Sequence, residues 1–198
     1  MNTFIKSNFK KIALLGYGLF IFSGAFAQVK YTCKNNLSLT LSGTSTLHDW
    51  DMKSSQGTFK GVFTLNSEGA ITAVTGLSFT TTAQSLKSGH DEMDKNAYKA
   101  LKTEKAATIS FVGGSTTITN LDATDFVVKS NGKLTIAGTT LDAEITATCI
   151  VKIDKSISVM GSKKISMKDF AMAPPTFMMG TIKTGNDVTL KFDLNLSK

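Results

Sequence analysis

The feature that most constrains this chain is a hydrophobic period of two. From Leu141 to Ile153 the odd positions read Leu141, Ala143, Ile145, Ala147, Cys149, Val151 and Ile153. The even positions hold Asp142, Glu144, Thr146, Thr148 and Lys152, with Ile150 the one exception. Successive side chains of a strand point to opposite faces, so this pattern writes one dry face and one wet face. Val188, Leu190, Phe192, Leu194 and Leu196 alternate with Thr189, Lys191, Asp193 and Asn195 in the same way. Leu37, Leu39 and Leu41 alternate with Ser38, Thr40 and Ser42, and Phe59, Phe63 and Leu65 share a face with Gly61. Ile109 and Phe111 flank Ser110. Half-wet strands of this kind belong to antiparallel sheets.

Turn chemistry divides the runs. Ser130-Asn131-Gly132-Lys133 stands between Phe126–Val128 and Leu134–Ile136, and Asn-Gly between apolar strands predicts a hairpin there. Ser67-Glu68-Gly69, Gly138 and Gly185-Asn186-Asp187 mark further strand boundaries, and the only prolines, Pro174-Pro175, fall in a loop. The spacing predicts eight to ten strands, as in a sandwich or barrel. One segment departs from it. Met93, Ala97, Ala100 and Leu101 recur at helical spacing between Asp91 and Lys105, with acids first and lysines later, which suits the helix dipole. Ser88 or Asp91 is the expected cap of this single helix of about three turns.

The first 27 residues read as an export leader. Lys6, Lys10 and Lys11 precede an apolar run from Ile12 to Phe22, and Ala25 and Ala27 supply an A-x-A cleavage site. The run is shorter than the ~20 residues of a spanning helix. Residues 1–27 are therefore expected to be a cleaved signal peptide and 28–198 one domain, periplasmic or secreted. Leaving out the three leader lysines lowers the net charge from +7 to about +4. Every basic residue is Lys, scattered rather than clustered, which argues against nucleic-acid binding and leaves only transient contact with a membrane surface. Two cysteines, Cys33 and Cys149, leave two readings open: one disulfide, or two separate buried thiols.

A dry face meets a second sheet, a barrel interior or lipid. A membrane-spanning barrel needs aromatic girdles, and this chain has one Trp and three Tyr. A barrel of about eight strands that stands in water can hold one small ligand. Met160, Met167, Met172, Phe177, Met178 and Met179 add flexible apolar side chains, suited either to core filling or to an adaptable binding surface.

Two motifs weigh in favour of the ligand. One is Ser45-Thr46-Leu47-His48-Asp49-Trp50. The other is Ser88-Gly89-His90-Asp91-Glu92-Met93-Asp94, followed by Ala100-Leu101-Lys102. Asp169-Phe170, Pro174-Pro175, Thr184-Gly185-Asn186-Asp187-Val188 and the stretch Gly132–Thr139 accompany them in order. Together they resemble the YceI-like family of exported lipid-binding proteins, over about Leu37 to Leu196. The resemblance implies a lipocalin-like antiparallel barrel that holds a long isoprenoid, such as a polyprenyl phosphate or a quinone tail, in a buried tunnel. One departure is that Ala106 and Ala107 stand where the family often has an aromatic and a proline before the strand after the helix.

The expected tunnel lining, set by alternation, is Leu39, Phe63, Phe79, Phe111, Leu134, Ile145 and Phe192, with Met160, Met167 and Phe177 added from the methionine-rich end. His48, Asp49, Trp50, His90 and Asp91 are the expected polar mouth or head-group residues. The two histidines lack metal-ligand spacing and any nucleophile motif, so the expectation is no catalytic residue, no metal and no cofactor. The alternatives are an adhesion β-sandwich without a ligand, and a hydrolase using His48 and His90.

Overall fold

The strands curl into an antiparallel barrel. The computed structural model describes residues 27–198. In chain order it has β1 (Ala27–Lys34), β2 (Leu37–Ser45), β3 (Trp50–Ser54), β4 (Thr58–Leu65), β5 (Ile71–Thr82), α1 (Asp91–Ala100), β6 (Thr108–Asn120), β7 (Asp125–Ile136), β8 (Thr139–Val151), β9 (Ile157–Ser166), β10 (Thr176–Phe177) and β11 (Ile182–Leu196). The sheet runs β1-β4-β5-β6-β7-β8-β9-β11-β2-β3, and β10 pairs with the start of β11. Its two margins are tied back by single bridges. Thr32 of β1 exchanges backbone hydrogen bonds of 2.8 and 2.9 Å with Ser197, and Lys53 of β3 exchanges bonds of 2.7 and 2.8 Å with Lys87. The eleven strands among the described residues exceed the eight to ten expected, but the all-β barrel class holds. The leader reading lies outside the described residues apart from Ala27.

The alternation sets inside and outside. On β8, Ala147, Cys149 and Val151 are buried while Asp142, Glu144 and Thr146 are exposed. The outer face of β11 carries Thr189, Lys191, Asp193 and Asn195, a wet surface rather than a lipid-facing one. One end of the barrel is filled. Tyr31, Phe63, Phe126, Ile157 and Leu196 are all but inaccessible there, and the rings of Tyr31 and Phe63 meet edge to face with centroids 5.3 Å apart. The Tyr31 hydroxyl reaches the surface turn and donates to the carbonyl of Lys155 at 2.9 Å.

Four expectations about local structure need correction. Asn131-Gly132 is no turn: β7 runs straight through it, and the hairpin sits at Ala137-Gly138, both at positive φ (50° and 80°). Gly132 is a strand glycine because an added Cβ would stand 2.3 Å from the Val112 carbonyl oxygen. Gly185-Asn186-Asp187 forms a bulge inside β11 rather than a boundary, and Asn186 uses it to hold Met167, Lys168 and Ser166 by hydrogen bonds. Ile153 lies beyond the end of β8 and is fully exposed. Neither Ser88 nor Asp91 caps α1; His90 is the cap residue, and no side chain supplies a cap bond.

Two ladders open partway. β5 and β6 pair only from Ser78–Val112 to Thr82–Thr108, and below that the Thr116 hydroxyl donates to the Val74 carbonyl at 2.7 Å. β8 and β9 pair only from Ala147–Gly161 to Val151–Ile157.

Candidate functional site

The half of the barrel opposite the filled end is hollow. An inner chamber of about 180 Å³ and an outer one of about 450 Å³ share Leu41, Leu101, Met172 and Val188 as a common collar. The inner chamber is walled almost wholly by apolar side chains. Leu39, Phe63, Phe79, Phe111, Leu134, Ile145 and Phe192 all line it, where alternation puts them. Met167 and Phe177 line the outer chamber instead. Met160 lines neither. It sits on the outward phase of β9, opposite Asp193 and Thr148, and is exposed; its inclusion came from the methionine cluster rather than from phase.

The mouth is built by the two motifs. In the turn from β2 to β3 the Ser45 hydroxyl donates to the His48 carbonyl at 2.8 Å and accepts the N–H groups of Leu47 and His48, each at 3.2 Å. Trp50 lays its ring over Gly43, its cross-strand partner, and donates its indole N–H to the Thr44 carbonyl at 3.0 Å. His48, Trp50 and His90 all line the outer chamber, His48 from this turn and His90 from the start of α1. Asp49 lies on the open outer groove with Asp51 and Asp187, and Asp91 lines no chamber. Neither acid lines the outer chamber: both are exposed, Asp49 in the turn before β3 and Asp91 at the first position of α1.

Sequence reading missed the residue that organises the mouth. Asp94, in the first turn of α1, is buried, and its Oδ1 accepts both the N–H and the hydroxyl of Ser88, each at 2.8 Å. Lys87 lies 3.5 Å from its other oxygen. Burial works against the charge of Asp94, but the Ser88 bonds and the Lys87 ammonium outweigh it and hold the pKa below the usual 3.8. Tyr98, one turn on, donates to the carbonyls of Leu86 at 2.8 Å and Gln84 at 3.0 Å. With these anchors in place, Met93, Ala97 and Leu101 face the outer chamber. The signal for Asp94 was present: it stands three residues after Asp91, inside the quoted motif and one position from apolar Met93.

Polar groups capable of chemistry are sparse. No cluster of three metal-ligating side chains occurs among the described residues. Cys33 and Cys149 are free thiols, both buried in one core. Cys33 donates its thiol to the Asn36 carbonyl at 3.1 Å, and burial pushes the Cys149 thiol up to about 12. Two polar residues stand out on the inner wall. Ser130 is buried, and its hydroxyl has no hydrogen-bond partner. Lys163 also lines the chamber.

A curled antiparallel sheet around an apolar chamber, filled at one end and flanked by a helix at the other, defines a class of antiparallel barrels with an internal cavity. Within that class the chain belongs to the YceI-like family, whose domain matches residues 26–196. The crystal structure of Burkholderia cenocepacia BcnA is similar, with a TM-score of 0.63 at 12% identity over 82% of this chain and 96% of that one. A polyisoprenoid binding domain from Saccharophagus degradans, implicated in plant cell wall breakdown, gives 0.62 at 11% identity over 86% and 99%. A mutant Campylobacter jejuni YceI protein crystallised with a monobromobimane guest gives 0.51 at 20% identity over 71% and 81%. At these identities the likeness is one of fold. No curated protein matches the chain.

Proposed function

We propose that this protein is an exported carrier that sequesters one long apolar lipid, an isoprenoid by preference, in its two chambers. The observation that carries the reading is the continuous apolar lining from the blind end at Phe63 to the mouth at Met93 and Phe177. Family membership and the fold shared with a polyisoprenoid binding domain support it. The driving force is hydrophobic: each buried CH₂ contributes about 0.8 kcal/mol before ordering costs are subtracted.

The rim supports contact with a lipid surface during loading. Leu47, Met178 and Met179 are 65%, 74% and 107% exposed, and Leu47 and Met178 line the outer chamber. Both methionines are held at positive φ (48° and 55°), a strained conformation for such side chains. Three large apolar side chains around an apolar opening let a tail pass from membrane to chamber without crossing water. The leader expected from residues 1–27 supports a place of work outside the cytoplasm, in the periplasm or beyond. The chambers bind rather than react; the function requires no cofactor and no catalytic role for His48 or His90.

The test is a chain-length series. Delipidated protein titrated with geraniol, farnesol and geranylgeraniol is expected to bind on the order of tenfold more tightly per added five-carbon unit. Affinity independent of chain length overturns the reading.

A further inference from the structure

Among the described residues, the ionisable side chains on the wall of the outer chamber are His48 and His90 alone. His48 reaches the wall from the turn between β2 and β3, and His90 from the residue before α1. No Asp, Glu or Lys joins them there. The His48 ring donates from Nδ1 to the Asp49 carbonyl at 2.6 Å, which leaves Nε2 to take up a second proton. His90 enters hydrogen bonds through its backbone, with Ser88 and Asp94. Neither imidazole forms an ion pair among the described residues.

The charged groups that frame the mouth are held elsewhere. On β3, Asp51 pairs with Lys53 at 3.0 Å. On α1, Glu92 pairs with Lys95 at 2.6 Å, and buried Asp94 lies 3.5 Å from Lys87. On β11, Asp187 pairs with Lys164 of β9 at 2.8 Å. Asp49, Asp91, Lys99, Lys168, Asp169 and Lys183 are exposed, and none of them lines the chamber. Residues 173–181, which close the mouth on the methionine-rich side, carry no charge.

An imidazole changes its charge between about pH 5 and 8. In the empty protein both histidines are exposed, so water hydrates either charge state. A tail lying in the outer chamber displaces that water from the rings. A charge that loses its water and gains no partner is disfavoured, so loading favours the neutral rings. The loaded protein then binds fewer protons than the empty one, and by linkage its affinity for an apolar tail falls as pH falls.

We propose that the mouth is a pH-sensitive gate, in which protonation of His48 and His90 drives an apolar tail out of the outer chamber. The inference rests on the carrier reading above and adds the condition under which the cargo leaves. Its test is equilibrium dialysis of farnesol, a neutral probe, at about pH 7.5 and about pH 5, on either side of the histidine range. The proteins are delipidated wild type, His48→Gln, His90→Gln and the doubly substituted chain, and each is read as the ratio of its two dissociation constants. The wild type is expected to bind about tenfold more weakly at the lower pH, the size of effect that one suppressed protonation gives. Each single substitution lowers the ratio, and the double substitution brings it to about one. Wild-type binding that is equal or tighter at the lower pH overturns the gate, as does a ratio that survives in the double variant. Wild type unfolded at the lower pH by circular dichroism also overturns it, since release is then loss of the fold. If farnesol does not bind at about pH 7.5, the carrier reading itself fails, and the gate with it.

Discussion

Asp94 holds the mouth together more firmly than either histidine. Its carboxylate joins the Ser88 turn to α1, and two charge-assisted hydrogen bonds at a buried site are expected to make Asp94→Ala cost about 2–3 kcal/mol in urea unfolding. The pH sign follows from the lowered pKa. The contribution is fully present above the usual value near 3.8 and is lost as pH falls through the lower folded value. The stability gap between wild type and Asp94→Asn is therefore expected to be constant near neutrality and to shrink below about pH 4. The cysteines give a second check at this scale. Intact mass after unfolding without reductant is expected to show two alkylated thiols, while native protein at neutral pH leaves Cys149 unmodified. Single-residue roles were the least legible part of the chain. The motifs led to the correct turns, and His48, Trp50 and His90 do meet at the outer chamber. Which acid of Asp91 and Asp94 faces inward was decided by helix packing, which a motif does not state.

At the scale of elements, phase outperformed turn chemistry and composition. The inward set Phe126, Val128, Ser130, Gly132, Leu134 and Ile136 runs unbroken through Asn131-Gly132, so β7 is one strand, despite a dipeptide that favours hairpins. Two neighbours impose this: β6 pairs Val112 with Lys133 and β8 pairs Glu144 with Asn131, and tertiary pairing overrides a local turn preference. Replacing Gly132 with Val drives a side chain into the Val112 carbonyl and the Phe111 ring, and is expected to lower stability by about 1–3 kcal/mol in urea unfolding. The same rule explains Met160 and Lys163. Read by residue type, Met160 belongs inside and Lys163 outside; read by phase along β9, the assignments reverse. The β8–β9 opening carries no sequence mark, because both strands keep their alternation through it, whereas at β5–β6 both strands shift phase, around Gly76 and between Gly113 and Thr116.

At the scale of the whole molecule, the class of fold was legible because alternation is dictated by burial. The hollow was not, since an apolar face reads the same whether it meets another face or a void. What separates the two is the distribution of bulk. Tyr31, Phe63 and Phe126 fill one end, while Ile145, Ala147 and Val128 leave the middle open. Ile145→Trp places a large side chain in that space rather than against packed neighbours. It is expected to leave the melting temperature unchanged or raised, because filling a void offsets its cavity cost, and to weaken geranylgeraniol binding at least about tenfold. The most direct measurement of the central claim is native mass spectrometry of the full chain, expressed with its leader and purified from the extracytoplasmic fraction without detergent. The account predicts a species heavier than the processed polypeptide by one lipid molecule, released by organic extraction and absent from Ile145→Trp. Wild-type protein found only at its bare polypeptide mass, which takes up no lipid when incubated with membranes, would contradict it.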